Sequence, residues 1–125
     1  MKQIISTPNS LSSPLFSQGV KAGPFLYVSG MTGVVPATGK QAGDTIQAQT
    51  HQALLNCLAV VEAGGGSIHD VVQVTVLLTR PEDFSGMNEA YAQTFPSDPP
   101  ARAVTKLGVD IPNVLVSIML AAYLD

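Results

Sequence analysis

The apolar positions change period along the chain, and each change marks an element. Phe25 to Val28 is a β-rich run that passes through Ser29-Gly30 and closes on the turn signal Pro36-Ala37-Thr38-Gly39, which predicts a strand followed by a turn. From Asp44 the spacing becomes helical: Ile46, Ala53, Leu54, Cys57, Leu58 and Val61 share one face, Asp44 is placed to cap the start, and Gly64-Gly65-Gly66 ends the run. The segment "VVQVTVLLT" (71 to 79) is β-branched and bounded by Asp70 and Pro81, so it predicts a strand. Phe84, Met87, Tyr91 and Phe95 then define one face of a second helix that ends before Pro96. Two further strands follow, roughly Ala101 to Gly108 and Val114 to Leu124, joined by a turn at Asp110-Ile111-Pro112-Asn113.

This order predicts an α+β domain spanning 1–125, with two helices on one face of a mainly antiparallel sheet. The final strand adds a complication. Val114, Val116, Ile118 and Leu120 point one way, Leu115, Ser117, Met119 and Ala121 the other, and both sets are largely apolar. A sheet with helices on one side normally shows polar residues on its other face, so this pattern predicts a second covered face. Two helices cannot supply that cover, and a homo-oligomer whose sheets pack together would.

Composition points the same way. Only 12% of the 125 residues are charged and 46% are hydrophobic, whereas a typical soluble domain is about 25% charged. The length suffices for a self-contained core. The single cysteine, Cys57, excludes an intrachain disulfide, and no long apolar segment suggests a signal peptide or membrane span, so a cytoplasmic protein is expected. Six Lys and Arg against nine acids give a net charge of -3. The basic residues are scattered, which argues against nucleic acid as a partner, because each neutralised phosphate needs a nearby cation.

Common catalytic signatures are absent: there is no Walker A loop, G-x-S-x-G, H-E-x-x-H or dinucleotide fingerprint. His51 and His69 have no nucleophile or acid paired with them in sequence, and capping or surface roles suit both. Cys57 lies in an apolar stripe and reads as a small core residue. Arg102 differs. It falls in an apolar strand-forming segment, "DPPARAV", stiffened by Pro99-Pro100. A guanidinium fixed there offers a planar fork matched to a carboxylate, and a salt bridge to Asp98 or Glu89 is an equally good reading from residue types alone.

The segments "PLFSQGVKAGPFLYVSG" (14 to 30), "MNEAYAQTF" (87 to 95), "PPARAV" (99 to 104) and "IPNVLVSIMLAAY" (111 to 123), in that order, resemble the Rid (YjgF) family of enamine/imine deaminases. The resemblance covers nearly the whole chain. It implies a chorismate-mutase-like α+β fold forming a homotrimer with clefts between subunits. It also implies hydrolysis of a small enamine or imine carboxylic acid, such as 2-aminoacrylate or 2-aminomuconate, to a keto acid and ammonia, without metal or cofactor. By position, Arg102 matches the family's arginine that grips the substrate carboxylate and is the expected catalytic residue. Ser29 with the backbone of Gly30 matches the cleft-lining pair, and Asn88 matches the asparagine near the substrate end of the second helix.

Three positions depart from the family pattern. Phe16 stands where many members have tyrosine, so its ring can wall the cleft without a hydroxyl. Val104 stands where the deaminases often carry cysteine. With one deletion in the preceding turn, Met119 takes the place of a glutamate that positions and activates water, and neighbouring Ser117 also falls where glutamate is frequent. A thioether neither accepts a proton at neutral pH nor orients water strongly. The alternative is therefore a non-catalytic trimer of the same family that binds or senses a carboxylate. Ribonuclease activity, attached to some relatives, fits the acidic balance least.

Overall fold

The computed structural model describes residues 1–125. The main sheet holds six strands in the order β1 (Gln3–Ile5), β2 (Gly19–Ala22), β3 (Phe25–Thr32), β8 (Val116–Tyr123), β6 (Val71–Leu78) and β7 (Ala101–Lys106). A small hairpin, β4 (Val34–Val35) and β5 (Lys40–Gln41), stands apart, its turn closed at Gly39 with φ 73°. Every neighbouring pair in the main sheet is antiparallel except β6 and β7, which run parallel. The parallel pair requires a crossover, and α2 (Phe84–Thr94) provides it. The turn after Lys106 therefore does not form a hairpin; it carries the chain back so that β8 inserts between β3 and β6.

Helix α1 (Ile46–Ala63) lies across β3 and β8 and packs on α2, so both helices cover one face. Thr45, not Asp44, caps α1: its hydroxyl accepts from the Ala48 N–H at 3.1 Å. Thr45 sits in extended backbone directly before the first helical residue, the geometry from which a side-chain oxygen reaches the third amide. At the other end Gly64 closes the helix and Gly65 takes φ 94°, a left-handed conformation that suits glycine.

Between the layers, Leu26, Met31, Leu54, Cys57, Val60, Val74, Val76, Met87, Val116 and Ile118 are completely buried. On β8 the expected alternation holds, with Val116, Ile118, Leu120 and Ala122 under the helices. Met119 and Tyr123 point to the open face, where each remains 45% exposed. Phe25, Tyr27 and Tyr123 form an aromatic cluster on that face, with Phe25 edge-on to Tyr123 at 5.3 Å. Within one chain this apolar face has no cover.

One glycine fixes how closely α1 approaches the sheet. A Cβ on Gly33 would lie 2.6 Å from the Gln49 carbonyl oxygen and 2.7 Å from its Cα. Helix backbone cannot yield as a side chain can, so Gly33→Ala is expected to destabilise the fold by about 1–3 kcal/mol, as overpacking does. A lower urea midpoint with an unchanged m-value would show it.

Candidate functional site

Arg102 occupies edge strand β7 in register with Val74 and Leu120, both buried beneath the helices, so its side chain rises on the helix face. There α2 receives it. Nη1 donates to Asn88 Oδ1 at 2.7 Å and lies 3.9 Å from Met87 Sδ. The guanidinium carbon stands 4.7 Å over the Tyr91 ring, a cation–π contact that holds the planar group without neutralising it. The chain's one ion pair joins Arg80 to Asp83. Arg102 therefore has no carboxylate partner, which removes the salt bridge to Asp98 or Glu89, and its remaining N–H donors are free for an anion.

Tyr91 is the residue that sequence reasoning missed here. It was legible only as part of the apolar stripe of α2, yet its ring is the platform under the cation. Burial raises the Tyr91 hydroxyl above its ordinary pKa, partly offset by the Arg102 charge, so the phenol stays neutral near pH 7. Its hydroxyl has no hydrogen-bond partner in the chain.

A second cluster lies across the sheet. Val28 pairs with Leu120 and Met31 with Ile118, so Ser29 and Gly30 together face the single residue Met119. Ser29-Gly30 is thus a β-bulge inside β3 and not the end of the strand, a device that re-aims side chains. Ser29 Oγ donates to the Ser17 carbonyl at 2.5 Å, and the Ser29 N–H donates to the Gln18 carbonyl at 3.0 Å. These bonds tie the bulge to the loop that carries Phe16, which is exposed and lines a groove with Ser17 and Gln18.

Beside Gly30 stands Ser117, whose Oγ would be 3.0 Å from a Cβ at that position. Ser117 thus places a hydroxyl beside Gly30, whereas Met119 shares a shallow apolar recess with Tyr27, Val28 and Thr75. No acid occurs on β8.

The structure brings Asn88 to Arg102, and places Val104 two residues along the same face of β7. It sets Ser29, Gly30 and Ser117 apart from them. Three strand spacings, about 14 Å, separate β3 from β7, and Ser117 and Met119 occupy the face opposite Arg102. One chain cannot present both clusters to one small molecule.

The remaining reactive types stand outside both clusters. His51 and His69 are exposed, and neither ring is hydrogen-bonded to a nucleophile. No group of three His, Cys, Asp or Glu side chains converges as a metal site would. Cys57 is fully buried, its Sγ 3.2 Å from the Ile118 carbonyl, and desolvation holds the thiol far above its ordinary pKa. It is expected to resist a disulfide reagent such as DTNB at pH 8 in the native protein and to react fully in denaturant; rapid native labelling would contradict its burial.

Two helices layered on one face of a mainly antiparallel sheet, with a bulged Ser-Gly pair in β3 and an unpaired arginine on the edge strand, place the chain among the Rid-type α+β proteins. The chain belongs to the Rid (YjgF) family: the family model described as Endoribonuclease L-PSP matches residues 7–124. It is 40% identical over 125 residues to a RutC family protein of Pyrococcus horikoshii, covering 98% of each chain. It is 34% identical over 119 residues to the 2-iminobutanoate/2-iminopropanoate deaminase of Dermatophagoides farinae, covering 94% of this chain and 92% of the other. Among solved structures it is similar to E. coli TdcF with bound serine, with a TM-score of 0.90 and 30% identity over 98% of this chain and 99% of that one. No helix is long and apolar enough to cross a membrane.

Proposed function

We propose that the chain catalyses cofactor-free hydrolysis of a small enamine or imine carboxylic acid to the keto acid and ammonia, in clefts between the copies of a homotrimer. The observation that carries this reading is Arg102: a guanidinium held by Asn88 and Tyr91 with no carboxylate of its own. The deaminase name of one relative and the amino acid bound to another support a small carboxylate as ligand. Because the two clusters lie on opposite faces, the reading joins Arg102 of one copy to the Ser29-Gly30 bulge of the next. The uncovered apolar face supports association.

The chemistry asked of the site is modest. Arg102 holds the carboxylate in fork geometry and so fixes the C=N carbon. Water adds to that carbon while a proton passes to nitrogen; the resulting aminol loses ammonia and leaves C=O, so that R–C(=NH)–COO⁻ and H₂O become R–C(=O)–COO⁻ and NH₃. An enamine first takes a proton at carbon to become the imine. The Ser117 hydroxyl beside Gly30 can donate to and accept from water, which orients it without serving as a base at neutral pH. A general base is typically worth about two to four powers of ten in rate. The rate enhancement here therefore rests on holding a reactive imine and a water together.

To test this, 2-aminoacrylate or 2-aminomuconate is generated in situ and ammonia and keto acid are followed. The expected result is release faster than the spontaneous reaction, in proportion to protein. The absence of an acid on β8 favours a second reading, a trimer that binds or senses a carboxylate. Calorimetry with 2-ketobutyrate, pyruvate and benzoate separates the two, since binding without turnover supports only the second.

A further inference from the structure

Helix α2 and strand β7 border a cavity of about 420 Å³, lined by Leu78, Pro81, Phe84, Val104, Thr105 and Lys106. Its wall is mostly apolar. Phe84 belongs to the apolar face of α2 by spacing, yet it is 47% exposed, while Met87, Tyr91 and Phe95 on the same face are buried. An aromatic ring left half in solvent at the mouth of a cavity is a contact surface without an occupant.

The position of this cavity relative to Arg102 gives it a use. Phe84 and Asn88 are four residues apart on α2 and so neighbour each other on one helix face, about 6 Å along the axis. Arg102 and Val104 are two residues apart on one face of β7, about 6.6 Å along the strand. Asn88 and Arg102 are hydrogen-bonded, and Phe84 and Val104 line the cavity. The two pairs are successive layers of one groove: a polar layer that fits a carboxylate and, one step along, an apolar layer.

We propose that this cavity is the side-chain pocket of the site and makes the chain selective for 2-imino acids with a branched or aromatic apolar side chain. The inference rests on the reading that Arg102 holds the substrate carboxylate. A methyl group, one bond from the imine carbon, falls short of the second layer. An isobutyl or benzyl group reaches it and buries Phe84 and Val104. Each methylene buried in such a pocket is worth about tenfold or more in kcat/KM.

The test uses an L-amino acid oxidase to form imines in situ from leucine, phenylalanine and alanine, with the full-length protein. The leucine- and phenylalanine-derived imines are expected to give kcat/KM at least about tenfold above the alanine-derived one. Phe84→Asp, a half-exposed position whose folding is checked by thermal melting, is expected to bring the leucine-to-alanine ratio close to one, and Phe84→Ala to lower it. A wild-type ratio near one, or a ratio untouched by both substitutions, overturns the pocket while leaving imine hydrolysis standing. If no imine is hydrolysed, the reading of the function fails, and the pocket is judged by calorimetry: 4-methyl-2-oxopentanoate binding at least about tenfold tighter than pyruvate is expected, and equal affinities overturn it.

Discussion

Arg102→Ala is expected to lower kcat/KM for 2-imino acid hydrolysis by about a hundredfold or more while leaving the melting temperature nearly unchanged. The first half follows from the geometry. Charge-assisted hydrogen bonds to a carboxylate are about twice as strong as neutral ones, and the side chain offers several. Losing them removes both affinity and the alignment of the C=N carbon with water. The second half follows from the side chain's exposure and its lack of an ion pair, since few folded-state contacts depend on it. Arg102→Lys keeps the charge but loses the planar fork and its stacking on Tyr91, so it is expected to recover only part of the activity. Asn88→Ala frees the guanidinium to swing and is expected to fall between wild type and Arg102→Ala. Equal rates for wild type and Arg102→Ala would remove Arg102 from the site.

The largest effect on stability is expected at Gln49, a fully polar side chain in the core. It is 2% exposed. Its Nε2 donates to the carbonyls of Gly43 and Asn113, each at 3.0 Å, and its Oε1 accepts from the Leu115 N–H at 2.9 Å. One side chain thus ties α1 to the loop before it and to the turn that launches β8. Gln49→Leu keeps much of the volume but leaves three backbone groups unpaired, and each buried unpaired group costs about 1–3 kcal/mol. A total of about 3 kcal/mol is expected, lowering the melting temperature by roughly 10 °C. Because β8 carries Ser117, activity is expected to decline with it. A shift of only a degree or two would show that water replaces these bonds.

Much of this architecture is legible in the sequence because burial is periodic. The helix period of Ile46 to Val61, the β-branched run at 71 to 79 and the alternation of Val116, Ile118 and Leu120 along β8 each reflect which side of an element meets the core. The parallel placement of β7 beside β6 is a long-range pairing that no local pattern records. The run from Phe25 is legible as a strand that passes through Ser29-Gly30, but the bulge at that pair is not, because only the register with β8 reveals it. Asp44 and Thr45 are both able caps, and the backbone at the junction selects Thr45.

At the site, Arg102 is conspicuous in sequence as a cation in an apolar strand, and Asn88 follows from the family resemblance. Tyr91 is hidden because an aromatic in an apolar stripe looks like core, and it is core as well as platform. Ser117 is obscured by alternation: side chains two residues apart on a strand share a face, so sequence alone does not say whether Ser117 or Met119 meets Gly30. Phe84 is equally hidden, since spacing assigns it to the buried face while its place at the start of α2 leaves it over the edge strand.

The central claim, that Arg102 of one copy works with the Ser29-Gly30 bulge of another, is tested most directly by mixing two inactive chains. Arg102→Ala removes the anchor, and Gly30→Val obstructs the bulge beside Ser117. Each alone is expected to be inactive. Unfolded together in equal amounts and refolded, they are expected to regain about one quarter of wild-type activity, the chance that a random pairing joins an intact Arg102 to an intact Gly30 across an interface. A refolded mixture no more active than the two variants apart would contradict a site shared between copies.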